Sequence, residues 1–254
     1  MYFLLEETSM EPDRTKVVSN NSGHLPNVFH FQGSSKSQNI PIWDNLASSE
    51  DKLELPMDIS IVTFATGKIK ERDSPLIRQL KKSEIVYSNP AAAFDYAQYG
   101  GWSNVLKPKL ALESLKNIKT KYVLVADSAD VVIQTFDNII ENFKTYQKPV
   151  LFGATKNRHP NQTVDIVSDR DLRGDYCYLN AGTCFGETLK VTEFYQAAAE
   201  LEDIDNPEGS EQLLVRMVFN DNQEWVDFDW QRKVFQTFSK TTLEIIAPYT
   251  FRAY

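Results

Sequence analysis

Asp127 and Asp130 lie three residues apart in the stretch Lys121–Ile133, KYVLVADSADVVI. Before them runs Tyr122 to Ala126, an apolar β-rich segment of the length expected for a strand buried on both faces. Two carboxylates on a tight turn at the carboxyl end of such a strand stand where open α/β sheets place their ligand crevice. Hard oxygen ligands at that spacing can grip one divalent cation together, and a metal-bound diphosphate is the chemistry they suit. The same four residues also suit a plain turn, with Asp127 capping it and Asp130 in solvent.

Other groups could join them. Val28-Phe29-His30-Phe31 reads as a short strand, and Gln32-Gly33-Ser34-Ser35-Lys36 follows as a small-residue turn ending in a cation. Such a turn presents backbone N–H groups to an anion, with Lys36 as a point charge beside it. His30 alone is as well explained by a hydrogen-bonded structural role as by metal ligation. Tyr96, Tyr99 and Trp102 surround Gly100-Gly101, where they either stack on a flat base or bury their rings. Lys109 sits in the first turn of a helix and faces either a crevice or water. Asn180 lies in a strand holding two glycines, Tyr178–Gly186, where a glycine marks a bulge or a close approach. Ser210 is a good N-cap residue, so Glu211 at that helix start is explained by the helix dipole without catalysis.

The elements that must carry these residues follow in order. Residues 1–24 are polar and without sustained period, a loosely held arm. Residues 46–57 read as a charged linker. Ile59 to Phe64 is a β-branched run ending in Ala-Thr-Gly, the pattern of a first parallel strand, followed by a helix over 75–82 and a short strand over 84–87. A helix from Pro108 delivers the chain into the 122–126 strand. A helix over 136–146, a strand over 150–154, a long polar loop over 155–178, helices over 189–200 and from 211, and a last strand over 243–247 complete the pattern.

With 254 residues and 42% hydrophobic content, the chain can build one large α/β core or two small ones. A formal charge of −8 excludes a general affinity for nucleic acid or anionic membrane. Any phosphate must be met locally, by a metal or a few basic groups. Cys177 and Cys184, the two cysteines, lack zinc-site spacing and read as a possible pair or, more simply, two semi-buried thiols. No window approaches the roughly 20 apolar residues of a membrane span, so the chain is expected to be soluble, with the cytoplasm the favoured compartment.

Taken together, these motifs resemble the glycosyltransferase domain of the procollagen lysyl hydroxylase/glycosyltransferase (PLOD-like) family. The resemblance runs through Ile61–Thr66, Asp127-x-x-Asp130, Tyr178-Leu179-Asn180-Ala181-Gly182, Glu211-Gln212-Leu213 and Val234-Phe235-Gln236. It implies a GT-A fold, a Rossmann-like mixed, mostly parallel sheet flanked by helices, over 58–254. It further implies a UDP-sugar donor held through Mn²⁺ (or Mg²⁺) by Asp127 and Asp130, Thr66 and Lys109 on the nucleotide side, and Trp102 as the base-stacking ring. Two consecutive Asp of the family are Ser210 and Glu211 here. Glu211, Asn180 and Asp229 become the candidates near the sugar.

The family's third metal ligand is a histidine in a turn after the last strand, and this chain ends at Tyr254 before such a turn. Val28–Lys36 resembles that turn, with Gln32 in place of Asn, which makes His30 the third ligand and Gly33 and Lys36 diphosphate contacts. Either the domain is circularly permuted, or residues 1–45 are the tail of a neighbouring repeat. The implied function is metal-dependent transfer of a hexose from a UDP-sugar to a hydroxyl acceptor on a protein or glycan. The alternative is a non-catalytic nucleotide-sugar or glycan-binding module within a larger chain.

Overall fold

The computed structural model describes residues 15–19, 26–33, 52–67, 73–95, 97, 101–159, 173–201, 206, 209–238 and 249–253, with the backbone alone for 15–19 and 249–253. Lys36, Tyr96, Tyr99, the segment 160–172 and the strand expected over 243–247 lie outside the described residues.

A five-stranded mixed sheet forms the centre, in the order β3-β4-β7-β6-β8: β3 (Ile59–Phe64), β4 (Tyr122–Asp127), β7 (Tyr178–Glu187), β6 (Val150–Thr155) and β8 (Val226–Phe228). β3–β4 and β6–β8 pair in parallel, while β7 runs antiparallel to both its neighbours. Alternate residues of β4 face opposite layers. Val123 and Val125 enter a core with Leu110, Phe194 and Phe219, and Tyr122, Leu124 and Ala126 enter a second with Leu76, Leu80 and Phe143. Burial on both faces is what the unbroken apolar run requires.

Helices cover both faces: α1 (Pro75–Lys82), α2 (Lys107–Leu115), α3 (Ile139–Lys144), α4 (Thr188–Glu200) and α5 (Glu211–Asp221). α1 begins on Ser74, whose hydroxyl accepts from the Ile77 N–H, and it carries Lys81 and Lys82 in its last turn, matching the helix dipole. α3 is shorter than the expected 136–146, because Asn138 takes φ +55 immediately before it. The strand expected over 84–87 reduces to a bridge between Val62 and Ser88, since Glu84 at φ +58 breaks extended geometry. Among the described residues no helix is long and apolar enough to cross a membrane.

The amino-terminal part is built into the fold. β2 (Val28–Phe31) is the middle strand of a second, three-stranded sheet, antiparallel to β5 (Val131–Ile133) and parallel to β9 (Phe235–Phe238). Phe31 stacks on Phe238 at 4.8 Å between ring centroids, and Asn27 donates from its amide to the carbonyls of Thr135 and Asp137. β1 (Thr15–Ser19) pairs antiparallel with β10 (Tyr249–Ala253), so part of the expected loose arm is a strand. The supposed linker also packs: Leu53 and Leu55 lie against the second core, and the Leu53 N–H donates to Ser83 Oγ at 2.9 Å.

Candidate metal centre

β4 ends on Asp127, opposite Phe64 of β3. The turn after it is pinned through Ser128, whose hydroxyl donates to the Phe64 carbonyl while its own carbonyl accepts from Ser74 Oγ. β2 reaches the same turn from the other sheet. His30 stands opposite Val131, and the Phe31 N–H donates to the Asp130 carbonyl at 2.8 Å. His30 Nε2 therefore lies 3.6 Å from Asp130 Oδ2. One ligand atom from each of His30, Asp127 and Asp130 lies within 4.8 Å of the other two.

Gly182 of β7 makes room for the imidazole. A Cβ there would meet His30 Cε1 at 2.2 Å, so no other residue fits beneath the ring as it stands. Burial pulls the His30 pKa down, but Asp130, then Asp127, outweigh it and leave it raised above 6.5. His30 Nδ1 has no hydrogen-bond partner among the described residues.

A part-buried cation completes the electrostatics. Lys107, the first residue of α2, donates from Nζ to Asp127 Oδ1 at 2.6 Å and to Glu211 Oε1 at 2.7 Å. Burial lowers its pKa, yet the two carboxylates win and raise it, so Lys107 is charged throughout the ordinary pH range. Burial pushes the Glu211 carboxyl up to about 7 even beside Lys107, because that ammonium is shared with Asp127. Three carboxylates against one ammonium leave a net negative pocket whenever His30 is neutral. Lys107, Asp127, Gly182 and Glu211 line a narrow cleft with Phe64 and Tyr195.

The lysine expected here was Lys109, which is exposed. Two residues along a helix turn the side chain by about 200°, so Lys107 and Lys109 face opposite ways. The signal available in the sequence was the cation directly before Pro108 at a helix start. Asp229 does not join the cluster. It is fully buried, and its oxygens accept from the N–H groups of Lys233, Val234 and Phe235 and from the Tyr146 hydroxyl, so it holds the turn before β9. Trp102 packs edge-on to Phe94 at 5.2 Å and donates to Asn104 Oδ1. Thr66 lies just beyond the carboxyl end of β3, 6% exposed, its hydroxyl without a partner among the described residues.

Asn180 is buried, accepts from the Gly182 N–H at 3.0 Å and donates to Gln32 Oε1 at 2.6 Å. Gly33 follows β2 at φ +60, where glycine is the unstrained residue. Ser210 occupies the N-cap of α5, but its side chain makes no capping bond; Asn206 holds the turn instead, bonding both the N–H and the carbonyl of Ser210. Cys177 and Cys184 are both free and fully buried, so they neither pair nor reach solvent.

The sequence model described as PLOD GT domain matches residues 88–249. The chain belongs to the PLOD glycosyltransferase-domain family. No curated protein matches it. Among solved structures, a 4-diphosphocytidyl-2C-methyl-D-erythritol synthase from Anaerococcus prevotii is similar over 74% of this chain and 94% of its own, at 16% identity and a TM-score of 0.35. Membership in the PLOD glycosyltransferase-domain family makes the chain a domain of glycosyltransferase type, acting between a nucleotide-sugar donor and an acceptor. Asp127, Asp130, Lys107, Asn180 and Glu211 all fall inside the stretch matched to the PLOD family, whereas His30 falls outside it.

Proposed function

We propose that this domain transfers a hexose from a UDP-sugar to a hydroxyl acceptor, with a divalent cation, Mn²⁺ or Mg²⁺, held by His30, Asp127 and Asp130. The observation that carries the reading is the imidazole of His30 beside Asp130, brought about 100 residues along the chain by β2. The donor set fits: one imidazole nitrogen and two carboxylates, close enough to share an ion whose ligand bonds are about 2.0–2.3 Å. Such an ion supplies Lewis-acid neutralisation of the diphosphate leaving group.

The chain's own residues do the rest. Lys107 orients Asp127 through its hydrogen bond, and it offers positive potential to the cleft that it lines. Thr66, whose hydroxyl at the end of β3 has no partner among the described residues, would hydrogen-bond the nucleotide. Glu211 lines the same cleft and would accept hydrogen bonds from sugar hydroxyls, and Asn180 shapes the backbone beneath them. From the family resemblance, Gly33, Lys36 and Trp102 would contact the nucleotide side of the donor, and Lys107 takes there the place expected of Lys109. His30 joining from the amino-terminal side supports a circularly permuted arrangement.

The test is hydrolysis or transfer from a panel of UDP-sugars, read by product mass, with Mn²⁺ and with chelator. Activity with Mn²⁺ that disappears in chelator and in Asp127→Ala is expected. Equal turnover in chelator refutes the metal role. UDP binding with Mn²⁺ but no turnover on any donor would establish the binding-module alternative instead, to which the locking of Glu211 against Lys107 lends support.

A further inference from the structure

β7 is irregular where it meets the cluster. Its register with β6 jumps from Phe152 opposite Cys184 to Gly153 opposite Asn180, and its ladder with β4 stops at Ala126 opposite Thr183. Ala181 and Gly182 thus belong to neither ladder, and a bulge of this kind re-aims the chain at a site. The Gly182 N–H is taken by Asn180 Oδ1. The Ala181 N–H needs a partner from elsewhere.

Gln212 provides it. Second in α5 and 8% exposed, it accepts from the Ala181 N–H through Oε1 at 2.7 Å and donates through Nε2 to the Leu179 carbonyl at 2.7 Å. Its amide thereby replaces the missing strand neighbour across the bulge. Arg216, one helical turn later, adds a bond from Nη2 to the same Leu179 carbonyl at 3.2 Å. The bulge matters because Gly182 is the floor beneath the His30 ring. A shift of the bulge moves the imidazole, and an imidazole out of place cannot share an ion with Asp127 and Asp130.

We infer that Gln212 is a positioning residue of this centre: by clasping the backbone of the β7 bulge it fixes the seat of His30 and so sets the affinity for a divalent cation that it does not touch. The inference rests on the metal reading above. Partners that orient a ligand are worth ten- to a hundredfold in metal affinity.

The measurement is Mn²⁺ binding to the full chain, by titration with electron paramagnetic resonance of the free ion, for the parent, Gln212→Ala and Val218→Ala. Val218 is a buried apolar residue of the same helix, and its truncation controls for loss of stability alone. The expected result is Mn²⁺ binding weakened about tenfold or more by Gln212→Ala. Val218→Ala should lower the melting temperature and leave the Kd within about twofold of the parent. A parent-like Kd in folded Gln212→Ala, or equal weakening in both variants, overturns the inference and leaves the metal reading intact. If the parent itself binds no Mn²⁺, both fall. Should Gln212→Ala not fold, Gln212→Asn, which keeps the amide on a shorter reach, is judged by the same criterion; failure of both to fold assigns Gln212 to folding and refutes the positioning role.

Discussion

Gly182→Ala is the sharpest perturbation of the cluster, since it adds one methyl group directly beneath His30. The new Cβ would stand 2.2 Å from Cε1, 2.8 Å from Nε2 and 2.9 Å from Nδ1. Restoring ordinary contact means a retreat of the ring, or of the bulge, by about 1 Å. His30 is 4% exposed on a strand flanked on both sides, so the movement is resisted. Overpacking of this kind costs about 1–3 kcal/mol, and a metal site tolerates departures of only about 0.2 Å in its ligand distances. In the parent, Mn²⁺ at a hundred times its Kd should stabilise by about 2.7 kcal/mol, a rise of roughly 5–10 °C in Tm. Gly182→Ala should melt several degrees lower and lose that rise. Thermal melts with and without Mn²⁺ read both quantities. A variant that melts like the parent and keeps the full Mn²⁺ shift would show that His30 is not seated on Gly182 as a ligand.

Two further perturbations separate the carboxylates by role. The folded Glu211 pKa, about 7 against an ordinary 4.5, means that between these values the folded state binds a proton the unfolded chain does not. This contribution to stability is full below about pH 4.5 and is lost as pH rises through 7, on the order of 3 kcal/mol. The parent's Tm should therefore fall between pH 5 and 8 more steeply than that of Glu211→Gln; parallel profiles would disprove the shift. Asp229→Asn would point an NH₂ at one of the donor sets that its oxygens now satisfy, at a cost of about 3 kcal/mol or roughly 6–12 °C. Its Mn²⁺ affinity should stay that of the parent, and a selective loss of sugar transfer without loss of stability would return Asp229 to the sugar site.

The buried strands were legible because burial on two faces leaves an uninterrupted apolar run, and β4 and the carboxylates closing it stand where that run ends. Strand direction was not. A doubly buried strand carries the same composition whether its neighbours run with it or against it, so the sequence reading of Tyr178–Gly186 as a strand carries no direction, and β7 is antiparallel to both its neighbours. Asp229 shows a second limit. Three of its four donors are N–H groups that every sequence offers equally, and the fold alone decides that they converge on one carboxylate. The Lys107 and Lys109 pair shows a third: a composition-based reading finds a cation in the first turn, but only the helix phase selects which one enters the cleft.

His30 bears on how the cluster is assembled. Its position is fixed by forces that involve no ion: β2 is hydrogen-bonded on both edges, Val28, Phe29 and Phe31 are buried, and Asn27 ties the strand's entry to the segment after β5. Small domains that fold around a metal have no such scaffold, and their affinity for the ion is reduced by the cost of ordering the chain. Here that cost is met by the packing of a strand inserted between two others, so the ligands stand together before any cation arrives. What opposes their approach is electrostatic: Asp127 and Glu211 share one ammonium, and Asp130 stands within 4.8 Å of Asp127. A divalent cation relieves that repulsion without rebuilding the fold. On this argument metal removal should leave the secondary structure unchanged and lower the melting temperature, and global unfolding on chelation, read by circular dichroism, would refute a preformed site.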